Sequence, residues 1–264
     1  MSSGLAIVKR ATVGAADIPL ALLSPSRVFA RVEDVPAYGW SLVLLLTCVT
    51  LIGWATVESG LIDVEVDRGV QQRIANLEKQ QRDVVERSTL SKMIEETRKE
   101  GEFFRLMTRT QVVAFKPIVT LATVLLLAAL FYGVVALTGK KPEWHTLITI
   151  FVFAGFADVL GGLFRLGMML SLRTLDVDSS LGVAIKLIEP GGELSRTTAA
   201  ALGGFLTALD PFRIWFWVIV IVGLSRTSQL RGWKLGTVCT LCWLAAGGLR
   251  AALAVAAMPA AGPT

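Results

Sequence analysis

Apolar residues in this chain fall into long, nearly unbroken runs separated by polar joints, and the joint between the first and second runs is far longer and more charged than the rest. Crossing a ~30 Å hydrocarbon core takes about 20 mostly apolar residues. Trp40 to Val57, Pro117 to Thr138, His145 to Leu172 and Trp233 to Ala257 reach that length. Phe205 to Leu224 is interrupted by Asp210 and Pro211, yet Phe212 to Leu224 is almost purely apolar, so it is read as a further span. The pattern predicts an all-α integral membrane bundle of about five transmembrane helices with a helical extramembrane insert. Residues 1–39 form an N-terminal segment, 40–57 the first span, 58–115 the insert, and 116–264 a membrane domain holding spans 2 to 5 and an amphipathic connection at 173–204. Ile18 to Leu23 is too short to cross and reads either as an interfacial helix or as part of a polar tail. No small-residue cleavage pattern follows Lys9 and Arg10, so a cleaved signal peptide is not expected.

The insert, Glu58 to Phe115, carries ten Lys and Arg against eleven acids and contains no proline. Val70, Ile74, Leu77 and Val84 recur at the spacing of an amphipathic helix, with Gln81 in the skipped position. Leu90, Met93, Ile94 and Thr97 make a second stripe after Ser88 and Thr89, whose hydroxyls suit a helix start. Two helices with a break near Ser88 follow, each of about 25 residues and roughly 35 to 40 Å long. Both ends return to one membrane face, so the helices either form an antiparallel hairpin or lie on the bilayer. The stripes either bind a partner or pack on the protein's own spans. In the later connection, Leu181 to Ile188 is ended by Pro190, Gly191 and Gly192, and Ser195 is the expected cap of a helix running to Ala208.

Charge then sets an orientation. The chain has 264 residues, 53% of them hydrophobic, and a net charge of +5. In a membrane protein such an excess reflects the positive-inside rule rather than nucleic acid. Lys9, Arg10, Arg27 and Arg31, the Lys140–Lys141 turn, and Arg226, Arg231 and Lys234 fall on one side if the chain crosses five times. This places the N-terminus in the cytoplasm and the C-terminus outside, with the insert external. Trp40 and Trp233 at inner span ends, and Trp215 and Trp217 at an outer one, suit interfacial anchoring.

Charges inside spans are costly and call for partners or an aqueous cavity. Asp158 and Arg165 share one face of the third span, two turns apart, and Arg250 in the last span is the expected partner of Asp158. Such charges either line an ion path or order the bundle. Ala157 and Gly161 are spaced for close helix approach. Cys239 and Cys242 form a C-x-x-C inside an apolar span and read as small hydrophobes. His145 is the single histidine, and no phosphate-binding glycine loop is present, so no catalytic residue, metal or cofactor is expected.

Three segments together resemble the Yip family, the Ypt/Rab-interacting membrane proteins, in its bacterial form. They are Ser24-Pro25-Ser26-Arg27-Val28-Phe29-Ala30-Arg31-Val32 with Pro36, the Gly139-Lys140-Lys141 turn, and Leu209-Asp210-Pro211-Phe212-Arg213-Ile214-Trp215. Asp158 and Arg165 stand where the family pattern is often more apolar. The resemblance implies a five-span bundle of the bacterial inner membrane without catalytic activity, with Ser24, Pro25, Phe29, Asp210 and Phe212 as motif residues. It also implies an accessory or scaffold role, some bacterial members resembling accessory subunits of export-type ABC transporters. The expected partners are membrane lipid and either such transporter subunits or further copies of the chain. The interaction residues would be Val70, Ile74, Leu77, Val84, Leu90, Met93 and Ile94. The alternative is a small permease using Asp158, Arg165 and Arg250.

Overall fold

The computed structural model describes residues 13–81, 87–175, 177, 196–206, 209–227 and 229–256, and every regular element among them is a helix. Val84, the piece Leu181–Ile188 and the expected cap Ser195 lie outside these residues. Two short helices, α1 (Ile18–Leu23) and α2 (Pro25–Phe29), precede α3 (Gly39–Glu58). Next come α4 (Leu61–Gln81), α5 (Arg87–Thr110), a π-helical turn (Gln111–Phe115) and α6 (Lys116–Leu137). The remainder is α7 (Trp144–Leu172), α8 (Arg196–Leu206), α9 (Pro211–Arg226) and α10 (Trp233–Ala256).

Among the described residues, four helices are long and apolar enough to cross a membrane: α3, the continuous 51-residue helix from Arg87 to Leu137, α7 and α10. They belong to an all-α membrane bundle. Their outward side chains include Leu51, Trp54, Leu126 and Leu249, each more than half exposed, as lipid contact requires. Trp40 and Trp233 stand 79% and 77% exposed at helix starts, the place of interfacial anchors. Glycines close several helices: Gly60 (φ 69°) follows α3 and Gly139 (φ 78°) follows α6, both in the left-handed conformation that ends a helix without steric cost.

The chain divides into two compact units. Unit one comprises residues 1–45, 122–161 and 178–264. Its core is the first part of α7, buried on every side from Thr146 to Ala157. The start of α7 is capped from far away in sequence, because Asp34 Oδ1 accepts from the backbone N–H groups of His145 (3.0 Å) and Thr146 (3.3 Å). These are orphan amides of a first helical turn, and a carboxylate there also meets the positive end of the helix dipole. α9 runs antiparallel to α7: Gly161 faces Phe212 and Gly223 faces Ile150, and at each glycine a Cβ would come within 2.9 Å of that neighbour.

The expected span at Phe205–Leu224 is an interrupted one. α8 has 11 residues and α9 has 16, each short of a full crossing. Both lie along α10. Gly204 of α8 leaves no room for a side chain against the backbone of Arg250 and Ala251. Ile214, Trp217, Val218 and Ile221 of α9 share a groove with Cys239 and Trp243 of α10. Asp210 and Pro211 account for the interruption, since proline cannot continue the hydrogen-bond ladder and is well tolerated as the first residue of a new helix.

Unit two comprises residues 46–121 and 162–177. It holds the C-terminal part of α3, the hairpin of α4 and α5, the start of α6 and the end of α7. The hairpin is antiparallel, as its register demands: Asp63 meets Arg109, Asp67 meets Arg105, Val70 meets Gly101 and Arg73 meets Glu100. At 21 and 24 residues the arms are roughly 31 and 36 Å long. α5 begins at Arg87, next to the expected break near Ser88.

Candidate functional site

The hairpin is built from its inner face outward. Val70 abuts Gly101, where a Cβ would come 2.5 Å from Val70 Cγ2, so the arms approach at a point where only glycine fits. Ile74 is buried at 8% exposure, and Leu77, Leu90, Met93 and Ile94 are half-buried. At Val70 the expected interaction stripe therefore meets the opposite arm. Charge closes the structure at its base: Arg109 bonds both oxygens of Asp63, and Arg105 reaches Asp63 at 3.4 Å and Asp67 at 2.5 Å. Higher up, Arg73 pairs with Glu100 at 3.7 Å, and Lys99 pairs with Glu95 one turn away at 2.8 Å. The Glu95 carboxyl is lowered and the Lys99 ammonium raised by that mutual hydrogen bond and attraction, on a fully exposed face. A groove of about 390 Å³ runs between the arms, walled by Ile62, Val66, Val70, Phe103, Phe104 and Leu175 among others.

The second candidate is the interruption in unit one. Asp210, 5% exposed, accepts from the Phe212 N–H at 2.8 Å and so caps α9 with its side chain. The Phe212 ring root lies against Gly161, and Asp158, one turn earlier on α7, forms an ion pair with Arg213 at 3.3 Å. The sequence pattern predicts Arg250 as the partner of Asp158. The structure supplies Arg213, because α9 starts deep along α7 rather than at its end, which brings the residue after Phe212 level with the carboxylate. Arg250 is half-buried on α10, and its carbonyl packs where Gly204 lacks a side chain. Arg165 is half-buried on the part of α7 that belongs to unit two.

The motif residues of the N-terminal segment join the same neighbourhood in unit one. Ser24 sits between α1 and α2, its N–H donating to Leu20 O at 2.7 Å and its carbonyl accepting from Arg27 at 3.0 Å. Pro25 opens α2 and is buried, and Phe29, 1% exposed, meets Phe153 edge-on at 6.3 Å. Trp215 Nε1 donates to Leu22 O at 3.1 Å, tying α9 to the end of α1. Two of the three motif segments thus converge on α7. Their chemistry is positional: a cap, a close glycine contact, an ion pair and an aromatic edge, which together seat a broken helix. Cys239 is a buried free thiol and Cys242 a half-buried one. Asp34, Asp63 and Arg109 are not among the site residues expected from sequence, and Arg213 is named there only within the Asp-Pro-Phe motif segment, without its ion pair.

No curated protein and no solved structure matches the chain. A model of the Yip1 domain matches residues 20–254, which take in α2, the hairpin, the interrupted span and nearly all of α10. The chain belongs to the Yip1 domain family of membrane proteins.

Proposed function

We propose that this Yip1-domain protein is a non-enzymatic scaffold or accessory subunit of the bacterial inner membrane, docking to another membrane component through the hairpin. The observation that carries the reading is the hairpin itself. It is a two-armed element held by its own apolar contacts and ion pairs, so its polar flanks are presented rigidly rather than used up in self-packing. A rigid presenting surface lowers the ordering cost of association. An export-type ABC transporter complex is the partner class that the family resemblance favours, with a second copy of the chain as the competing occupant. The N-terminus is assigned to the cytoplasm and the hairpin to the opposite side by the positive-inside rule. Photo-crosslinking from Gln81 in native membranes, followed by identification of the products, tests the docking role. Reproducible adducts to one other protein support it, and exclusively intramolecular adducts refute it.

A second reading, a small permease working through Asp158, Arg165 and Arg250, draws on the interrupted span. Broken helices whose ends meet charges recur at transport sites. The Asp158–Arg213 pair weighs against it, since a carboxylate already neutralised by a guanidinium is poorly placed to carry protons or cations.

A further inference from the structure

We propose that the base of the hairpin is immersed in the lipid interface, with Phe103, Phe104 and Met107 seated among phospholipid headgroups and upper acyl chains. Phe103 and Phe104 are each 64% exposed and Met107 is 56% exposed, on a helix that continues without a break into a membrane span. Further along the same helix, past exposed Thr110, Gln111 and Ala114, Phe115, Ile118 and Val119 are equally bare at the start of that span. An apolar surface that resumes as a lipid-facing one after the single polar turn of Thr110 and Gln111 fits the boundary between headgroups and acyl chains.

The depth follows from register. The Val112 backbone lies against Gly53 of α3, so these two residues are at one level. Glu58, where α3 ends, follows Gly53 by as many residues as Met107 precedes Val112. Asp63 arrives at the same height, bonded to Arg105 and Arg109 on either side of Met107. Met107 is therefore level with the end of the first span. Phe103 stands one turn further out, about 6 Å at 1.5 Å per residue. That is within the headgroup layer, roughly 5 to 7 Å on each side of the core.

The two arginines explain how a charged helix can sit there. Two residues along an α-helix turn it by about 200°. Arg105 and Arg109 thus point away from Phe103 and Met107, and both are neutralised by carboxylates of α4. Pairing removes the charge that would otherwise hold the base in water, and leaves an apolar face with two phenylalanines, a residue type that interfacial helices bury at the boundary of headgroups and acyl chains.

The test uses the full-length chain with Cys48, Cys239 and Cys242 replaced by alanine and one nitroxide label at Phe104→Cys, Met107→Cys or Phe103→Cys. It is reconstituted in phosphatidylcholine–phosphatidylglycerol vesicles, with Val119→Cys as the lipid reference and Lys79→Cys as the water reference. The ratio of oxygen to water-soluble nickel-chelate collision rates should be several-fold higher at 104 and 107 than at 79 and approach that at 119. A ratio equal to that at Lys79 overturns the proposal in favour of a hydrated base. Loss of collisions with both reagents overturns it in favour of a protein covering that face. Three label sites guard against one variant failing to fold.

Discussion

Arg109 donates to both carboxylate oxygens of Asp63, at 2.8 and 2.6 Å, joining the last turn of one hairpin arm to the first turn of the other. Charge-assisted bonds of this kind are shorter and stronger than neutral ones. Here both side chains are partly exposed, 43% and 33%, which keeps the contribution near that of a good surface pair. The Asp63→Asn variant should lose about 1 kcal/mol locally. Amide hydrogen exchange should quicken in residues 61–67 and 105–110 and stay unchanged in α7; a uniform increase would mean that the pair supports the whole molecule.

The arms above that base are held by shape. Gly101→Ala would drive a methyl to 2.5 Å from Val70 Cγ2. Overpacking of this sort costs roughly 1–3 kcal/mol. Trimming the neighbour as well, in Gly101→Ala/Val70→Ala, should recover most of the loss, since residues in contact couple rather than add. Thermal denaturation of the unaltered chain and the three variants of the cycle checks it: additive losses would place Val70 and Gly101 apart.

These two contacts also mark where sequence was sufficient and where it was not. The long apolar runs placed α3, α6, α7 and α10, because span length is written directly in composition. Asp210-Pro211 announced the interruption, since proline and a capping carboxylate leave a local signature. The stripe at Val70, Ile74 and Leu77 announced an amphipathic helix but not what covers it. At Val70 the cover is Gly101 of the opposite arm, a pairing between distant positions that the stripe itself does not encode. The trans cap from Asp34 onto α7 and the pairing of Asp158 with Arg213 depend on the height at which distant helices start, which no local pattern encodes.

The N-terminal segment offers a pH-dependent tie. Burial works to raise the Asp17 carboxyl, but the Gly14 N–H at 3.0 Å and Arg31 at 2.6 Å outweigh it and leave the group below its ordinary 3.8. A depressed folded-state value contributes stability that is complete above the unfolded value and is lost as pH falls through the folded one. The segment from Gly14 to Arg31 should hold its structure at pH 5 and loosen below about pH 4. Hydrogen exchange across 14–31 measures it, and Asp17→Asn should abolish the pH dependence there while Arg31→Lys keeps part of it.

The Asp158–Arg213 pair separates the two functional readings. Removing one partner of a fully buried ion pair costs about 3–5 kcal/mol, because the other charge is stranded. Their side chains are 33% and 37% exposed, so Asp158→Asn and Arg213→Gln should each cost less, about 1–2 kcal/mol after that discount. The double variant strands neither charge and should melt above either single one in detergent. If the pair only seats α9 on α7, Asp158→Asn should leave native-membrane crosslinks from Gln81 intact at temperatures below the lowered melting point. If Asp158 instead carries a proton or cation, proteoliposomes loaded with a pH-sensitive dye should show flux under an imposed gradient that Asp158→Asn eliminates and Arg213→Gln alters without lowering protein yield. Absence of flux in the unaltered protein, together with stability recovered in the double variant, would assign the pair to holding the interrupted span in place.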